Sequence, residues 1–190
     1  MKFELYSKTT APEAAQPILE QAEKTFGAVP NLFAVFAASP ATLKAYASLA
    51  EAVASLSILS PIEQQVVYLT VSAENGCTYC VGVHSVLADM AQMPEPILTE
   101  LREQRPLSDP RLDALRGFTL SVMEHRGWVP EEDLADFQAA GFDQRHVLEV
   151  ITILAQKTLS NYVNHMAHTP LDETFKSRAW EPKDPSSEMR

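Results

Sequence analysis

Glu74-Asn75-Gly76-Cys77-Thr78-Tyr79-Cys80-Val81-Gly82-Val83-His84-Ser85 holds both cysteines of this 190-residue chain and sets them at the meeting of two helices. Asn75-Gly76 stops the first, because glycine takes the left-handed turn that follows a helix C-terminus. The apolar pattern resumes through Val81, Val83, Leu87 and Met90, which predicts a second helix with the cysteines at its start. At about 3.6 residues per turn, positions 77, 80 and 84 fall on one face, so both sulfurs and the imidazole point the same way. Free N–H groups and the positive end of the helix dipole favour a thiolate, the species that attacks a peroxide or a disulfide. His84, one turn beyond Cys80, could take the thiol proton.

Upstream, Ser60-Pro61-Ile62-Glu63 carries a cap, a proline at the first helical position and an acid in the first turn. It predicts a helix through Val66, Val67, Leu69 and Thr70 to Asn75. Before it, the spacing predicts a helix over 12–26, a short apolar segment over 30–38 and an alanine-rich helix from Ser39-Pro40 to about Ser57. Residues 1–11 read as an arm. Downstream, the signals predict helices ending near Gln92, over 95–103, from Asp109-Pro110 to Gly127, from Pro130 to Gly141, and from Asp143 to about Met166. Residues 170–190 read as a tail that wraps a neighbour or frays. No alternating strand pattern with hairpin turns occurs, so the fold class is all-α, in one domain.

The formal net charge of -10 and the lack of a basic cluster argue against nucleic acid and anionic membranes as partners. There is no leader pattern and no apolar run long enough to span a membrane, so a cytoplasmic location is expected. In a reducing compartment, two cysteines three apart suggest redox chemistry or a metal rather than a structural staple. Three readings compete: a redox dithiol, half a zinc site completed by Glu74 or His165, and inert core cysteines. The helix-start position favours the dithiol. Glu74 sits at a helix C-terminus, which disfavours an acid, so a proton-relay role is one explanation for it. Gln65 and Glu63 could point at the cysteines across a helix hairpin, though Glu63 is expected to face solvent. Tyr79 reads as a packing residue. His165, His168, Asn161 and Asn164 could line the same pocket or form a buried polar seam.

One internal match is present. Gln65, Cys77, Cys80 and His84 each find a counterpart 84 residues later, in Glu149, Asn161, Asn164 and His168. The apolar residues between them shift by the same offset, which suggests a degenerate helical duplication with 143–168 as the second copy.

The run Leu59-Ser60-Pro61, Glu63, Glu74-Asn75-Gly76-Cys77-Thr78-Tyr79-Cys80-Val81-Gly82-Val83-His84-Ser85, preceded by Gly27-Ala28-Val29-Pro30-Asn31-Leu32-Phe33, resembles the AhpD-like alkylhydroperoxidases of the carboxymuconolactone decarboxylase superfamily. The resemblance implies an all-helical, internally duplicated fold that assembles into homo-oligomers. It implies a peroxidase in which Cys80 is oxidised to a sulfenic acid and Cys77 resolves it to a disulfide, which a thiol reductant or a reducing partner protein then opens. No metal or organic cofactor is implied. The family pattern places a relay glutamate where this chain has Gln65 and often a histidine where it has Tyr79, so Glu74 is expected to supply the carboxylate instead and to move protons with His84. Keeping both cysteines argues against the superfamily's decarboxylase activity. The expected function is a thiol-dependent peroxidase acting on hydrogen peroxide or organic hydroperoxides. The alternatives are a redox-switched chaperone or stress-sensing oligomer, and a thiol-disulfide reductase.

Overall fold

The computed structural model describes residues 2–182, and no strand occurs among them. A 3-10 turn over Glu13–Ala15 leads into α1 (Gln16–Phe26). The α-helix begins later than the spacing predicts because Pro17 in its first turn lacks an N–H and its ring crowds the carbonyl four residues back. α2 (Asn31–Phe36) is short and apolar, and α3 (Pro40–Leu56) starts on Ser39, whose hydroxyl accepts the Thr42 N–H. α4 (Pro61–Glu74) opens with a complete capping box: Ser60 Oγ accepts the Glu63 N–H at 3.3 Å, and the Glu63 carboxylate accepts the Ser60 N–H at 2.8 Å. Glu63 is therefore not a solvated acid. It is 9% exposed and is also paired with Arg111 at 2.9 Å.

α5 (Thr78–Met90) and α6 (Glu95–Arg102) follow. α7 (Pro110–Glu124) is capped by Asp109, and α8 (Glu131–Ala139) leads to α9 (Gln144–Ala167), whose N-terminus carries a capping box between Asp143 and His146. α4 is the hub, packing on α5, α6, α7 and α9. Its apolar residues Val66, Val67, Leu69 and Val71 join Leu98, Leu115, Phe118 and Ile153 in the larger core. A second core, built by Leu19, Leu32, Phe36, Leu43 and Tyr46, takes in Cys77, Tyr79 and Cys80. The cysteines thus lie on the side of the α4–α5 pair that faces α1, α2 and α3.

α9 is one unbroken helix, whereas the stretch 84 residues before it is interrupted between α4 and α5. The proposed second copy therefore lacks the break that makes the first copy a helix pair. Matched positions nonetheless touch across the molecule: Asn164 Nδ2 lies 3.3 Å from Cys80 Sγ.

The tail folds onto its own chain. Arg178 bridges Asp89 at 2.7 Å and Glu95 at 2.8 Å, and the Trp180 indole N–H donates to the Arg102 carbonyl at 2.9 Å. Residues 183–190, the end of the stretch read as a tail, lie outside the described residues. Leu171 seats both methyls on Gly82, where an added Cβ would come within 3.1 Å of each and within 3.6 Å of the Arg178 carbonyl. Gly82→Val is therefore expected to lower stability by about 1–3 kcal/mol through overpacking, read as a fall in the urea midpoint. An unchanged midpoint would mean that the tail is not held at this contact. No helix of the described residues is long and apolar enough to cross a membrane.

Candidate active site

The α4–α5 connection uses each backbone group twice over. The Cys77 N–H donates to the Ser72 carbonyl and the Gly76 N–H to the Ala73 carbonyl, both at 2.9 Å, which is the paired closure of a helix ending in a left-handed residue. Gly76 takes that conformation at φ 65°. Cys77 is at once the residue that closes α4 and the N-cap of α5, and Cys80 sits in the first turn of α5. Both cysteines are free and 1% exposed.

α9 supplies the wall opposite them. Asn164 Nδ2 approaches Cys80 Sγ at 3.3 Å and Cys77 Sγ at 4.0 Å, and Ser160 Oγ lies 3.9 Å from Cys80 Sγ. Lys157, 1% exposed, donates to His84 Nε2 at 2.8 Å. With that nitrogen accepting, His84 Nδ1 carries the hydrogen and donates to Gln65 Oε1 at 2.9 Å. The imidazole stacks on Tyr68 with centroids 4.3 Å apart, and Tyr68 donates to Gln156 Oε1 at 2.7 Å. The Lys157 ammonium also lies 5.4 Å from the Tyr68 ring centroid. The chain Gln65–His84–Lys157 therefore contains a buried cation and no carboxylate.

The charge has consequences for both thiols. Burial pushes the Cys80 thiol up, but the hydrogen bond from the Cys77 thiol, the Lys157 charge and the donors on Asn164 and Ser160 outweigh it and hold Cys80 below the ordinary cysteine value. Cys77 moves the other way, raised first by the hydrogen bond it gives to Cys80 and then by burial. The asymmetry agrees with the geometry, since Asn164 sits closer to Cys80. These surroundings favour negative charge on Cys80 over Cys77.

Burial, reinforced by the Lys157 charge, holds His84 well below the ordinary histidine value, so its imidazole is neutral. A base whose folded value is depressed binds its proton better in the unfolded chain. Stability is then full above about pH 6.5 and falls as the pH drops below it. Urea midpoints are expected to decline between pH 7 and 5, and in His84→Gln to decline less; equal slopes would place the acid sensitivity elsewhere.

Residues 40–105 match the model of the carboxymuconolactone decarboxylase family. The stretch that holds both cysteines is thus similar to the carboxymuconolactone decarboxylase family. Solved structures extend the likeness over almost the whole fold. A peroxidase-related protein with an alkylhydroperoxidase AhpD core from Ralstonia eutropha JMP134 superposes with a TM-score of 0.82 at 21% identity, covering 96% of this chain and 100% of its own. A peroxidase-related protein from Silicibacter sp. TM1040 gives 0.78 at 19% identity, with 94% of each chain covered. The debrominase Bmp8, in complex with 2,3,4-tribromopyrrole, gives 0.77 at 14% identity, covering 94% of this chain and 95% of its own. No curated protein matches the chain by sequence. The same fold thus occurs in peroxidase-related proteins and in a debrominase.

The structure brings Cys77 and Cys80 together, sets His84 against Lys157, whose charge acts on Cys80, and leaves Glu74 out. Glu74 ends α4 with its side chain exposed, so the expected relay carboxylate points to solvent rather than at the sulfurs. The relay position belongs instead to Gln65, which reaches His84 from α4. Tyr79 does more than pack: its hydroxyl donates to Asp172 at 2.7 Å and accepts the Leu32 N–H at 3.3 Å, tying the first turn of α5 to α2 and to the tail. The sequence reading missed Lys157. Its signal was a lysine on the inward stripe Val150, Ile153, Lys157, Ser160, Asn164 of an otherwise amphipathic helix. Among the described residues, no three His, Cys, Asp or Glu side chains converge as a metal site requires.

A pocket of about 230 Å³ runs along α5 beside Tyr79, Val83 and His84. Its walls are mostly apolar and include the rings of Phe26, Phe33, Tyr46, Tyr68 and Phe175, and Gln64, Gln65, His84 and Gln156 supply its polar lining.

Proposed function

We propose that the protein is a thiol-dependent peroxidase that reduces hydrogen peroxide or organic hydroperoxides through Cys77 and Cys80. The observation that carries the reading is the buried Lys157, which is held by His84 and whose charge acts on Cys80, with no carboxylate among its contacts. A buried cation is costly unless an anion accompanies it, and the Cys80 thiolate is that anion. Cys80 attacks the outer peroxide oxygen, the O–O bond breaks, and the departing alkoxide takes a proton from Lys157, leaving Cys80 as a sulfenic acid. Cys77 then attacks the Cys80 sulfur, water leaves, and a Cys77–Cys80 disulfide forms. The proton count closes with Lys157 as the free amine until two reducing equivalents restore the thiolate.

The test is consumption of cumene hydroperoxide by the reduced protein, with one disulfide formed per peroxide consumed. Unaltered thiols after peroxide treatment would overturn the reading.

The aromatic pocket supports a second reading, reductive dehalogenation of an aryl halide, in keeping with the debrominase among similar structures. An aryl bromide and two thiols give the arene, a disulfide and hydrogen bromide, so the same dithiol supplies both electrons. Bromide release from a bromopyrrole, with no peroxide consumed, would favour this reading over the first.

We also propose a homo-oligomer. The outer face of α9 exposes Leu148, Ile151, Tyr162 and Met166, the four spaced as one helical stripe. Sedimentation is expected to show an assembly that Tyr162→Glu disrupts.

A further inference from the structure

Neither cysteine lines the aromatic pocket. On the other side of the first turn of α5 lies a second pocket, of about 270 Å³, lined by Cys77, Thr78, Asn164, His165, His168 and Thr169. Its character differs from that of the first. The aromatic pocket reaches α5 at Val83 and His84, whereas the second opens on Cys77 and on exposed imidazoles. Two buried polar atoms of its lining, Asn164 Oδ1 and Thr169 Oγ1, have no hydrogen-bond partner among the described residues. Asn164 is 4% exposed and Thr169 is 9% exposed. Such atoms are costly to leave without a partner, and a ligand that hydrogen-bonds to them recovers that cost.

We propose that this second pocket is the docking site of a small peptidyl thiol, the reductant, which opens the Cys77–Cys80 disulfide by attacking Cys77. The proposal rests on the dithiol reading above and adds the partner and the point of attack. Asn164 Oδ1 can only accept, so the ligand presents an N–H, as a peptide amide does. The Thr169 hydroxyl can meet a carbonyl, and His165 and His168 stand at the mouth, where a carboxylate would sit. The chemistry balances. The thiolate sulfur bonds to Cys77 Sγ, the S–S bond breaks and Cys80 leaves as a thiolate. A second thiol then attacks the mixed disulfide on its own sulfur, releasing the symmetrical disulfide and returning Cys77 as a thiol. Attack at Cys77 expels the better leaving group, because Lys157 and Asn164 stabilise negative charge on Cys80 and not on Cys77.

The test runs one exchange step in reverse and needs no peroxide. Cys80→Ser and Cys77→Ser each leave a single thiol, which is treated with glutathione disulfide and followed by intact mass. Thiolate content alone predicts that Cys80 reacts faster. The proposal predicts the opposite, with Cys77 acquiring glutathione at least 10-fold faster than Cys80. Adding Thr169→Val to Cys80→Ser is expected to slow glutathione transfer at least 3-fold while leaving transfer from cystamine, which has neither amide nor carboxylate, within 2-fold. Equal or faster labelling of Cys80, or a Thr169→Val variant that reacts with glutathione disulfide like its parent, overturns the proposal. A protein that fails to consume peroxide but keeps this selectivity would lose the peroxidase reading and keep the docking site.

Discussion

Lys157→Met is expected to give a protein that folds at least as well as the wild type and whose Cys80 loses its thiolate as the pH falls below 7. Lys157 is buried to 1% exposure, and its ammonium is held by His84 and the Tyr68 ring with no acid beside it. Replacing a buried cation by an apolar side chain of similar length removes a desolvation cost, so the urea midpoint should hold or rise. The chemistry goes the other way. The Lys157 charge is among the influences that overcome burial at Cys80, and without it burial and the remaining hydrogen bonds decide. A rise of about two pK units from a value of about 5 leaves roughly half of Cys80 as thiolate at about pH 7 and cuts the thiolate at about pH 5 by roughly 50-fold. The pH dependence of Cys80 alkylation by iodoacetamide, measured in a Cys77→Ser background, should move upward by that amount. An unchanged profile would show that the helix N-terminus and Asn164 suffice, and that the lysine is a structural residue.

The two cysteine substitutions should separate cleanly. Cys80→Ser is expected to abolish peroxide consumption, by 10³-fold or more, because a serine hydroxyl at this position has no adjacent base to activate it. Cys77→Ser should consume one equivalent of peroxide and stop, with a trappable sulfenic acid on Cys80, since the resolving thiol is gone. The assignment rests on the different surroundings of the two sulfurs: Asn164 lies nearer Cys80 and the Lys157 field lowers it, while Cys77 is raised. A trap that labels Cys77 in the Cys80→Ser protein and leaves Cys80 unlabelled in the Cys77→Ser protein would reverse the roles.

Much of the helical frame was legible because its ends are written in local chemistry. Ser39, Ser60, Asp109 and Asp143 cap the helices they were read to cap, and Gly27 and Gly76 take the left-handed turns that stop α1 and α4. Caps depend on neighbours in sequence, so a linear reading finds them. What it misses depends on neighbours in space. Glu63 looks solvated until Arg111, 48 positions away, is brought to it. Glu74 is three residues from Cys77 yet points outward, because its place at the end of α4 turns it away from the face that α5 covers. Lys157 lies 73 positions from His84 and becomes part of the site only when α9 crosses the α4–α5 pair. For the polar residues of the site, distance along the chain was a poor guide; the stripe of small and polar side chains on the inner face of α9 was the better one.

That distance also sets an order of events during synthesis. The two cysteines leave the ribosome well before Lys157 and Asn164, and the segment carrying Asp172, which anchors Tyr79 between them, comes later still. Until α9 has been made and docked, both sulfurs are ordinary thiols on an incomplete helix pair, with no cation beside them and no amide against Cys80. The nascent chain therefore passes through its most exposed period with its least reactive cysteines. On the peroxidase reading proposed above, sensitivity to oxidant switches on only when the last long helix closes over them, so that completing the fold and arming the sulfur are one event.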